Sequence, residues 1–199
     1  MDILYQNDLD FMQRRAFSRI AGIDEAGRGA LAGPLVVSAV VLDYAHPIEG
    51  LNDSKQLSAA RREKLYAYIM DSALAVGIIE IPAAEVDRIN IRQASILGFA
   101  LAFQALQIEP DFALIDGKDA PEVLSGVSQA VIKGDSLHAC IAAASILAKV
   151  HRDSLMTTLD RCYPEYSFAR HKGYGTLKHY AALSTFGACK EHRISFRLF

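Results

Sequence analysis

Two apolar runs near the beginning of the chain, Ser18 to Asp24 and Leu35 to Asp43, are joined by the short link from Glu25 to Pro34. Both runs are rich in Val, Ile and Leu and are bounded by Gly, Pro or Asp, which is typical of buried strands. A crossover between parallel strands needs about a dozen residues or more, usually including a helix. The link is too short for that, so the sequence predicts that these two strands are antiparallel neighbours in a sheet.

Three more strand-like runs follow, and helical patterns lie between and after them. The predicted strands are Ala73 to Ile81, Phe112 to Asp116 and Gln129 to Lys133. Ser58 can cap one helix, Asn90 a second that continues through Leu106, and a third begins near Asp135 or Ser136. The alanine-rich face of the third helix predicts close packing against the sheet. This order predicts a mixed five-stranded α/β sheet flanked by helices, with a helical C-terminal segment.

Composition limits the possible partners and compartments. The 199 residues suffice for a substantial core, and we expect a single domain over residues 1–199. A net charge of −2 gives no overall basic surface, so any attraction to a polyanion must be local. The three cysteines have neither disulfide nor zinc spacing, and the longest apolar run, Leu35 to Leu42, is far too short to span a bilayer. We therefore expect a cytoplasmic protein without membrane contact, and a monomer.

Two adjacent acids, Asp24 and Glu25, follow the first apolar run. Neighbouring carboxylates repel, and burying either one without a partner costs several kcal/mol, so folding alone does not explain them. A divalent cation would remove the repulsion. The turn Gly27-Arg28-Gly29 comes next; its glycines let the backbone approach a ligand closely, and its arginine suggests that the ligand carries phosphate.

Asp116 and Asp135 are further candidate ligands, although each also has a structural interpretation. Asp116 ends a predicted strand and is followed by Gly117, as an ordinary turn aspartate can be. Asp135 can be a helix N-cap. Strand ends of an α/β sheet gather at one edge, where four carboxylates would make an oxygen-only site. Such a site suits Mg²⁺ or Mn²⁺ better than Zn²⁺, and two such ions can activate a water and stabilise the leaving oxygen of a phosphodiester.

The glycine-rich turn also resembles other phosphate-binding loops. Gly27-x-Gly29-x-x-x-Gly33 is close to a dinucleotide-binding fingerprint, but that motif must open a helix, whereas Pro34 to Leu42 is strand-like and the spacing differs. No Gly-Lys-Ser/Thr follows, which excludes a Walker A loop. The turn is therefore interpreted as a backbone loop that offers N–H and C=O groups beside the acids.

Several basic and aromatic residues can contact nucleic acid, and each has an alternative. Lys55 is either a phosphate ligand or an ordinary surface lysine. Lys172 belongs to a basic cluster just before Tyr174, which is a familiar arrangement for stacking on nucleic acid. Asp153 can pair with Lys149 at i,i+4 spacing, so it is assigned a structural role. Arg152 is assigned a structural role too, and His138 either touches the site or packs beside it.

Seven segments, in order, resemble motifs of the ribonuclease HII family. They are residues 22–29 (Gly-Ile-Asp-Glu-Ala-Gly-Arg-Gly), 31–34 (Leu-Ala-Gly-Pro), 51–57 (Leu-Asn-Asp-Ser-Lys-Gln-Leu), 114–117 (Leu-Ile-Asp-Gly), 133–136 (Lys-Gly-Asp-Ser), 142–153 (from Ala-Ala-Ala-Ser to His-Arg-Asp) and 171–174 (His-Lys-Gly-Tyr). The related ribonuclease HIII class lacks the Gly-Arg-Gly turn, so HII is the better match.

The resemblance implies a ribonuclease H-like fold and endonucleolytic cleavage of RNA hybridised to, or embedded in, DNA. It implies that Asp24, Glu25, Asp116 and Asp135 are the metal-binding catalytic acids. The turn of Gly27, Arg28 and Gly29 would sense the 2′-hydroxyl of the ribonucleotide, and Tyr174 would stack under the following deoxyribose. Cleavage would fall on the 5′ side of the ribonucleotide, leaving a 3′-hydroxyl and a 5′-phosphate.

Two other functions remain open from the residues alone. One is a different nuclease on the same fold, such as a junction resolvase acting on branched DNA. The other is a non-catalytic nucleic-acid-binding module whose acids hold a structural metal. For the favoured function, the expected biological setting is ribonucleotide excision repair.

Overall fold

The computed structural model describes residues 2–51, 54 and 57–198, which form a five-stranded sheet in the order β3-β2-β1-β4-β5. The strands are β1 (Ile20–Ala26), β2 (Leu35–Val41), β3 (Ala75–Ile81), β4 (Phe112–Asp116) and β5 (Ser128–Val131). β2 is antiparallel to β1 and β3, while β4 is parallel to β1 and β5. The predicted mixed sheet and its antiparallel first pair are confirmed.

Seven α-helices flank this sheet in the described part of the chain: α1 (Ile3–Arg15), α2 (Ala59–Ser72), α3 (Ala83–Ile89), α4 (Ile91–Gln104), α5 (Ala139–Cys162), α6 (Phe168–His171) and α7 (Leu177–Phe186). Short 3₁₀ turns lie at Glu122–Leu124, Gly134–Ser136 and Pro164–Tyr166. The Ser58 side chain caps α2 and the Asn90 side chain caps α4, as predicted. None of the described helices combines the length and apolarity needed to cross a membrane.

Several predicted boundaries are wrong by one or two residues, including the end of β2, the start of β3 and both ends of β5. Two further differences bear on the site. β1 begins and ends two residues later than expected and continues through Ala26, because its hairpin pairing with β2 extends to Val36. The acids therefore lie inside the strand and not at its end. α5 begins at Ala139 and not near Asp135, because Lys133 is left-handed with φ 58° and His138 is extended with φ −128°.

α5 lies directly on β1. A Cβ atom placed on Gly22 would come within 2.0 Å of the Cys140 carbonyl carbon, so no other residue fits there without moving the helix. Residues 139–148 of α5, half of them alanine, are almost completely buried against the sheet. The predicted close packing of the alanine-rich helix is confirmed. α4 covers the opposite face of the sheet, where Phe99 and Ala102 pack on Ile23 and Val37.

The N-terminal helix α1 was not predicted from the sequence, and a buried carboxylate fixes it to the core. Asp8 is inaccessible to solvent and accepts hydrogen bonds from the Tyr44 hydroxyl at 2.8 Å and the Cys140 N–H at 2.9 Å. Its other oxygen lies 2.7 Å from His138 Nδ1. His138 thus contacts Asp8 and occupies the N-cap position of α5. The Asp8 carboxylate therefore ties α1 to the turn after β2 and to the start of α5.

We expect Asp8→Ala to lower the free energy of unfolding by about 3 kcal/mol, because it leaves several buried donors without their acceptor. Urea unfolding followed by circular dichroism measures the change. Asp10→Ala, a half-buried position of the same helix whose carboxylate accepts an exposed hydrogen bond from Gln6, is the matched control and should change the free energy of unfolding by less than about 0.5 kcal/mol. Equal effects of the two substitutions would contradict this role of Asp8.

Candidate active site

Asp24 and Asp116 stand side by side on the central parallel pair of strands. Ile23 of β1 pairs with Ile115 of β4, so the next residue on each strand is an aspartate. Side chains alternate along a strand, and both aspartates follow the face that carries Ile20, Phe112 and Leu114 toward α5. The sheet therefore brings together two carboxylates that are far apart in the sequence.

Asp135 approaches the same edge through the 3₁₀ turn after β5. It is buried, and the preceding residue, Gly134, donates its N–H to Asp116 Oδ1 at 2.7 Å. This bond fixes the turn against the end of β4. Asp24 and Asp116 thus lie on adjacent strands, and Asp135 directly follows Gly134, the residue that bonds to Asp116. Glu25 follows Asp24 on β1.

The electrostatics of Asp24 reflect this crowding. Burial raises the pKa of Asp24 well above its usual value, and the nearby carboxylates of Glu25 and Asp116 raise it further. Hydrogen bonds from the Ser145 hydroxyl and from the Glu25 N–H, the latter at 2.7 Å, act in the opposite direction. The protein alone therefore disfavours the ionised form of Asp24, which a bound cation would stabilise.

The donor set fits a hard divalent cation. Asp24, Glu25, Asp116 and Asp135 offer only carboxylate oxygens, which are the ligands that Mg²⁺ and Mn²⁺ prefer. Within the described residues, no three Asp, Glu, His or Cys side chains are already arranged to hold a metal ion. Burial and the neighbouring carboxylates together raise the pKa of Asp24, and this is the observation that favours a cation here.

A cleft of about 420 Å³ opens beside the acids. Among its lining residues are Asp24, Glu25, Asp116, Tyr174 and all three residues of the Gly27-Arg28-Gly29 turn. Gly27 has φ +96°, and a Cβ there would lie 2.0 Å from Arg152 Nε. A Cβ on Gly29 would meet no described atom within 4 Å. Gly27 is thus required by the fold, whereas Gly29, which also lines the cleft, has open space around it.

Tyr174 lines the same cleft as the acids and lies near two cations. The residue is 37% exposed, and the centroid of its ring is 5.4 Å from Arg152 Cζ and 6.0 Å from Lys149 Nζ. Lys149 also pairs with Asp153 at 2.8 Å, as predicted. An exposed aromatic face backed by cations can stack on a sugar or a base.

One predicted substrate-binding residue, Lys172, lies outside the cleft. Lys172 Nζ donates to the Thr157 hydroxyl at 2.9 Å and to the Asp153 carbonyl at 3.2 Å, so it is held on α5 outside the cleft. Lys55 lies outside the described residues. Conversely, Ser145 and Lys149 line the cleft although neither was selected as a site residue. Ser145 interrupts the alanine run of α5, and this polar position could have identified it.

Three histidines support the Tyr174 loop from behind. The Cys189 N–H donates to His192 Nδ1 at 3.0 Å, so His192 carries its proton on Nε2 and donates to His179 Nε2 at 3.0 Å. His179 Nδ1 then donates to the Tyr174 carbonyl, also at 3.0 Å. The His171 ring stacks on His179 with centroids 4.4 Å apart. Burial lowers the pKa of His171 and His192, and lowers that of His179 to about 4.

Comparison with known proteins agrees with this arrangement. The family model for Ribonuclease HII matches residues 21–199. The chain belongs to the ribonuclease HII family. It is 54% identical to the Ribonuclease HII of Delftia acidovorans over 177 residues, which cover 89% of this chain and 75% of the relative. Its identity to Ribonuclease HII 1 of Methylibium petroleiphilum is 52%, covering 93% of each.

The fold leads to the same family. The crystal structure of ribonuclease H2 from Pyrococcus horikoshii OT3 matches with a TM-score of 0.77 and 27% identity, over 90% of this chain and 94% of that one. The ribonuclease H-like fold is therefore confirmed, and so is the resemblance to ribonuclease HII. As a member of this family the chain is a hydrolase with ribonuclease H endonuclease activity.

The two glycines of the turn give a matched test of the cleft. We expect Gly29→Ala to leave the free energy of unfolding within about 0.5 kcal/mol of wild type but to lower kcat/KM by about tenfold or more, because its methyl group enters space left for substrate. Gly27→Ala should instead destabilise the protein by about 1–3 kcal/mol, through backbone strain and overlap with Arg152. Urea unfolding and initial cleavage rates measure both effects. A fully active Gly29→Ala enzyme would contradict the assignment.

The histidine cluster predicts a specific pH dependence of stability. The folded protein holds His179 with a pKa of about 4, whereas the pKa of an unfolded histidine is 6.5. The unfolded chain therefore binds more protons between these values, and this contribution to stability, complete above pH 6.5, is lost as the pH falls toward 4.

We expect His179→Gln to flatten the decline in the free energy of unfolding between pH 6.5 and 5, since it removes one of the titrating groups. Urea titrations at several pH values measure the slope. Thr185→Ala, an exposed position on the same helix, should retain the wild-type slope. Identical slopes for wild type and His179→Gln would show that His179 is not held neutral.

Proposed function

We propose that this ribonuclease hydrolyses the phosphodiester on the 5′ side of ribonucleotides, both in RNA/DNA hybrids and at single ribonucleotides embedded in duplex DNA. Asp24, Glu25, Asp116 and Asp135 would hold the divalent ions that the reaction uses. The observation that carries the proposal is the shared cleft, in which carboxylates on the central strands face a glycine-flanked turn and an exposed tyrosine.

The charge distribution supports a phosphodiester substrate. The chain has a net charge of −2, yet Arg28 and Lys149 both line the cleft beside the acids. Arg28 Nη1 lies 3.3 Å from Glu25 Oε1, and its side chain is nearly half exposed, so it can turn toward a phosphate oxygen. The acids alone would repel the phosphates of a nucleic-acid backbone. Cations at the rim of the cleft would offset that repulsion and bind the backbone.

The recognition elements suit a ribonucleotide next to DNA. The backbone of Gly27, Arg28 and Gly29 can approach a sugar closely, because two of the three residues have no side chain. A 2′-hydroxyl both donates and accepts hydrogen bonds and distinguishes RNA from DNA. The exposed face of Tyr174 offers a surface for the neighbouring deoxyribose.

Ions bound by the four acids would activate a water and stabilise the leaving oxygen of the phosphodiester. The protein's own contribution is placement. β1 and β4 set Asp24 beside Asp116, the Gly134 N–H orients the Asp116 carboxylate, and Ser145 donates to Asp24. Each of these contacts fixes a carboxylate before substrate arrives, which lowers the reorganisation required during the reaction.

A duplex with one ribonucleotide tests the proposal directly. With Mg²⁺ or Mn²⁺ we expect a single cut 5′ to the ribonucleotide, and no cut in an all-DNA duplex or a branched DNA. Asp116→Asn should lower turnover by more than about 100-fold, because removing a metal ligand forfeits several kcal/mol of transition-state stabilisation. It should leave binding to the duplex nearly unchanged. Gel analysis of end-labelled products measures the position and rate of cleavage.

Asp71→Asn, which removes the same charge at an exposed position of α2, is the control and should cleave like wild type. Cleavage of branched DNA in preference to the ribonucleotide duplex would favour a junction resolvase. Wild-type protein that binds hybrids but cleaves none of them with either ion would contradict the proposal and favour a binding module.

A further inference from the structure

Two arginines are fully buried near the cleft and bind backbone carbonyls. Arg152 on α5 and Arg193 in the C-terminal segment are both inaccessible to solvent. Burial lowers the pKa of Arg193 to about 10, and the nearby Arg152 guanidinium contributes to that shift. Burying two positive charges side by side costs folding free energy. The role of these arginines is therefore to be found in the backbone groups to which they donate hydrogen bonds.

Arg193 holds the glycine-flanked turn. Its Nη1 donates to the Gly27 carbonyl at 2.7 Å and to the Arg28 carbonyl at 3.2 Å. Its Nε and Nη2 donate to the Gly33 carbonyl at 3.1 and 2.9 Å. One guanidinium therefore fixes both peptide units inside the turn and also the carbonyl of Gly33 in the segment after the turn.

Arg152 makes a second set of contacts beside the first. It donates to the carbonyls of Pro34, Lys172 and Ala32 at 2.9, 2.9 and 3.0 Å. These bonds join the segment after the turn to the loop that carries Tyr174. The two arginines thus have different roles: Arg193 orients the turn, and Arg152 orients the loop that carries Tyr174.

The contacts of Arg193 determine where the turn can donate hydrogen bonds. Within a planar trans peptide, the C=O of one residue and the N–H of the next point in opposite directions. The carbonyls of Gly27 and Arg28 point at the buried guanidinium, so the N–H groups of Arg28 and Gly29 point away from it. Successive N–H groups aimed the same way form a concave site for an oxygen ligand.

We propose that Arg193 is a positioning residue for ribonucleotide selectivity, because it fixes the peptides of Gly27 and Arg28 in the orientation that reads the ribose. The inference rests on the proposed function and extends it to a residue outside the cleft lining. Arg193 would touch neither substrate nor metal. Its guanidinium fork is essential, since a lysine carries the same charge but cannot reach three carbonyls in these directions.

Selectivity can be measured independently of the amount of folded enzyme. We define it as the ratio of the inhibition constant of an all-DNA duplex to KM for the same duplex with one ribonucleotide. Neither constant depends on the concentration of active protein, so partial unfolding lowers the apparent kcat but leaves the ratio unchanged. We expect Arg193→Lys to lower this ratio by about tenfold or more, because a change of that size corresponds to the loss of one well-placed hydrogen bond to the ribose.

Asp8→Ala is the matched control, because it destabilises the fold without contacting the turn, and it should keep the wild-type ratio. If Arg193→Lys does not fold, Arg193→Ala with millimolar guanidinium replaces it, and we expect added guanidinium to raise its ratio toward wild type. A wild-type ratio in Arg193→Lys, or a ratio of Arg193→Ala that guanidinium does not change, overturns the inference while leaving the proposed function intact. A wild-type enzyme that shows no preference for the ribonucleotide overturns both.

Discussion

The direct contact between α5 and β1 is the constraint on which the rest of the structure depends. Gly22 has no space for a side chain under Cys140, so the helix axis is fixed at its closest approach to the central strand. From there α5 runs across the face of the sheet and presents Ser145, then Lys149, then Arg152 at successive turns. A helix held farther away would move all three relative to Asp24. The hydroxyl, the cation and the buried guanidinium are therefore placed by one packing contact.

Two opposite electrostatic problems lie within this small region. The acids on β1 and at the end of β4 repel one another, and burial together with this repulsion raises the pKa of Asp24, which favours a bound cation. The two buried arginines keep their positive charge inside the protein, where they donate hydrogen bonds to backbone carbonyls. One set is arranged to bind a charged partner from outside, and the other is fully satisfied within the protein. Preorganisation of this kind costs folding free energy but removes a cost of substrate binding.

The sequence predicted the local features well and the long-range ones poorly. Strand periodicity and Gly or Pro boundaries were enough to predict all five strands and the antiparallel first pair, because both depend on near neighbours. α1 was missed because its sequence is polar, and nothing local shows that Asp8 would be buried by Tyr44 and Cys140. The start of α5 was wrong because Asp135 suits an N-cap, whereas the turn it occupies bonds to Asp116 instead. Arg193 gave no signal at all, since its carbonyl partners meet only in the folded chain.

That last difference bears on how the site forms. The acids lie on strands and on a turn bonded to them, so the sheet alone brings Asp24 and Asp116 together. The Gly27–Gly29 turn takes its orientation from the Arg193 guanidinium, which lies far along the chain. The C-terminal segment that carries Arg193 is held in place by the Ile194 and Ser195 N–H groups, which donate to the Asp87 carboxylate. The C-terminal segment must therefore dock before the turn is fixed. Local opening of that segment would loosen the turn while leaving the carboxylates in place. Under the proposed function, the residues proposed to bind metal and those proposed to discriminate substrates therefore have separate structural supports.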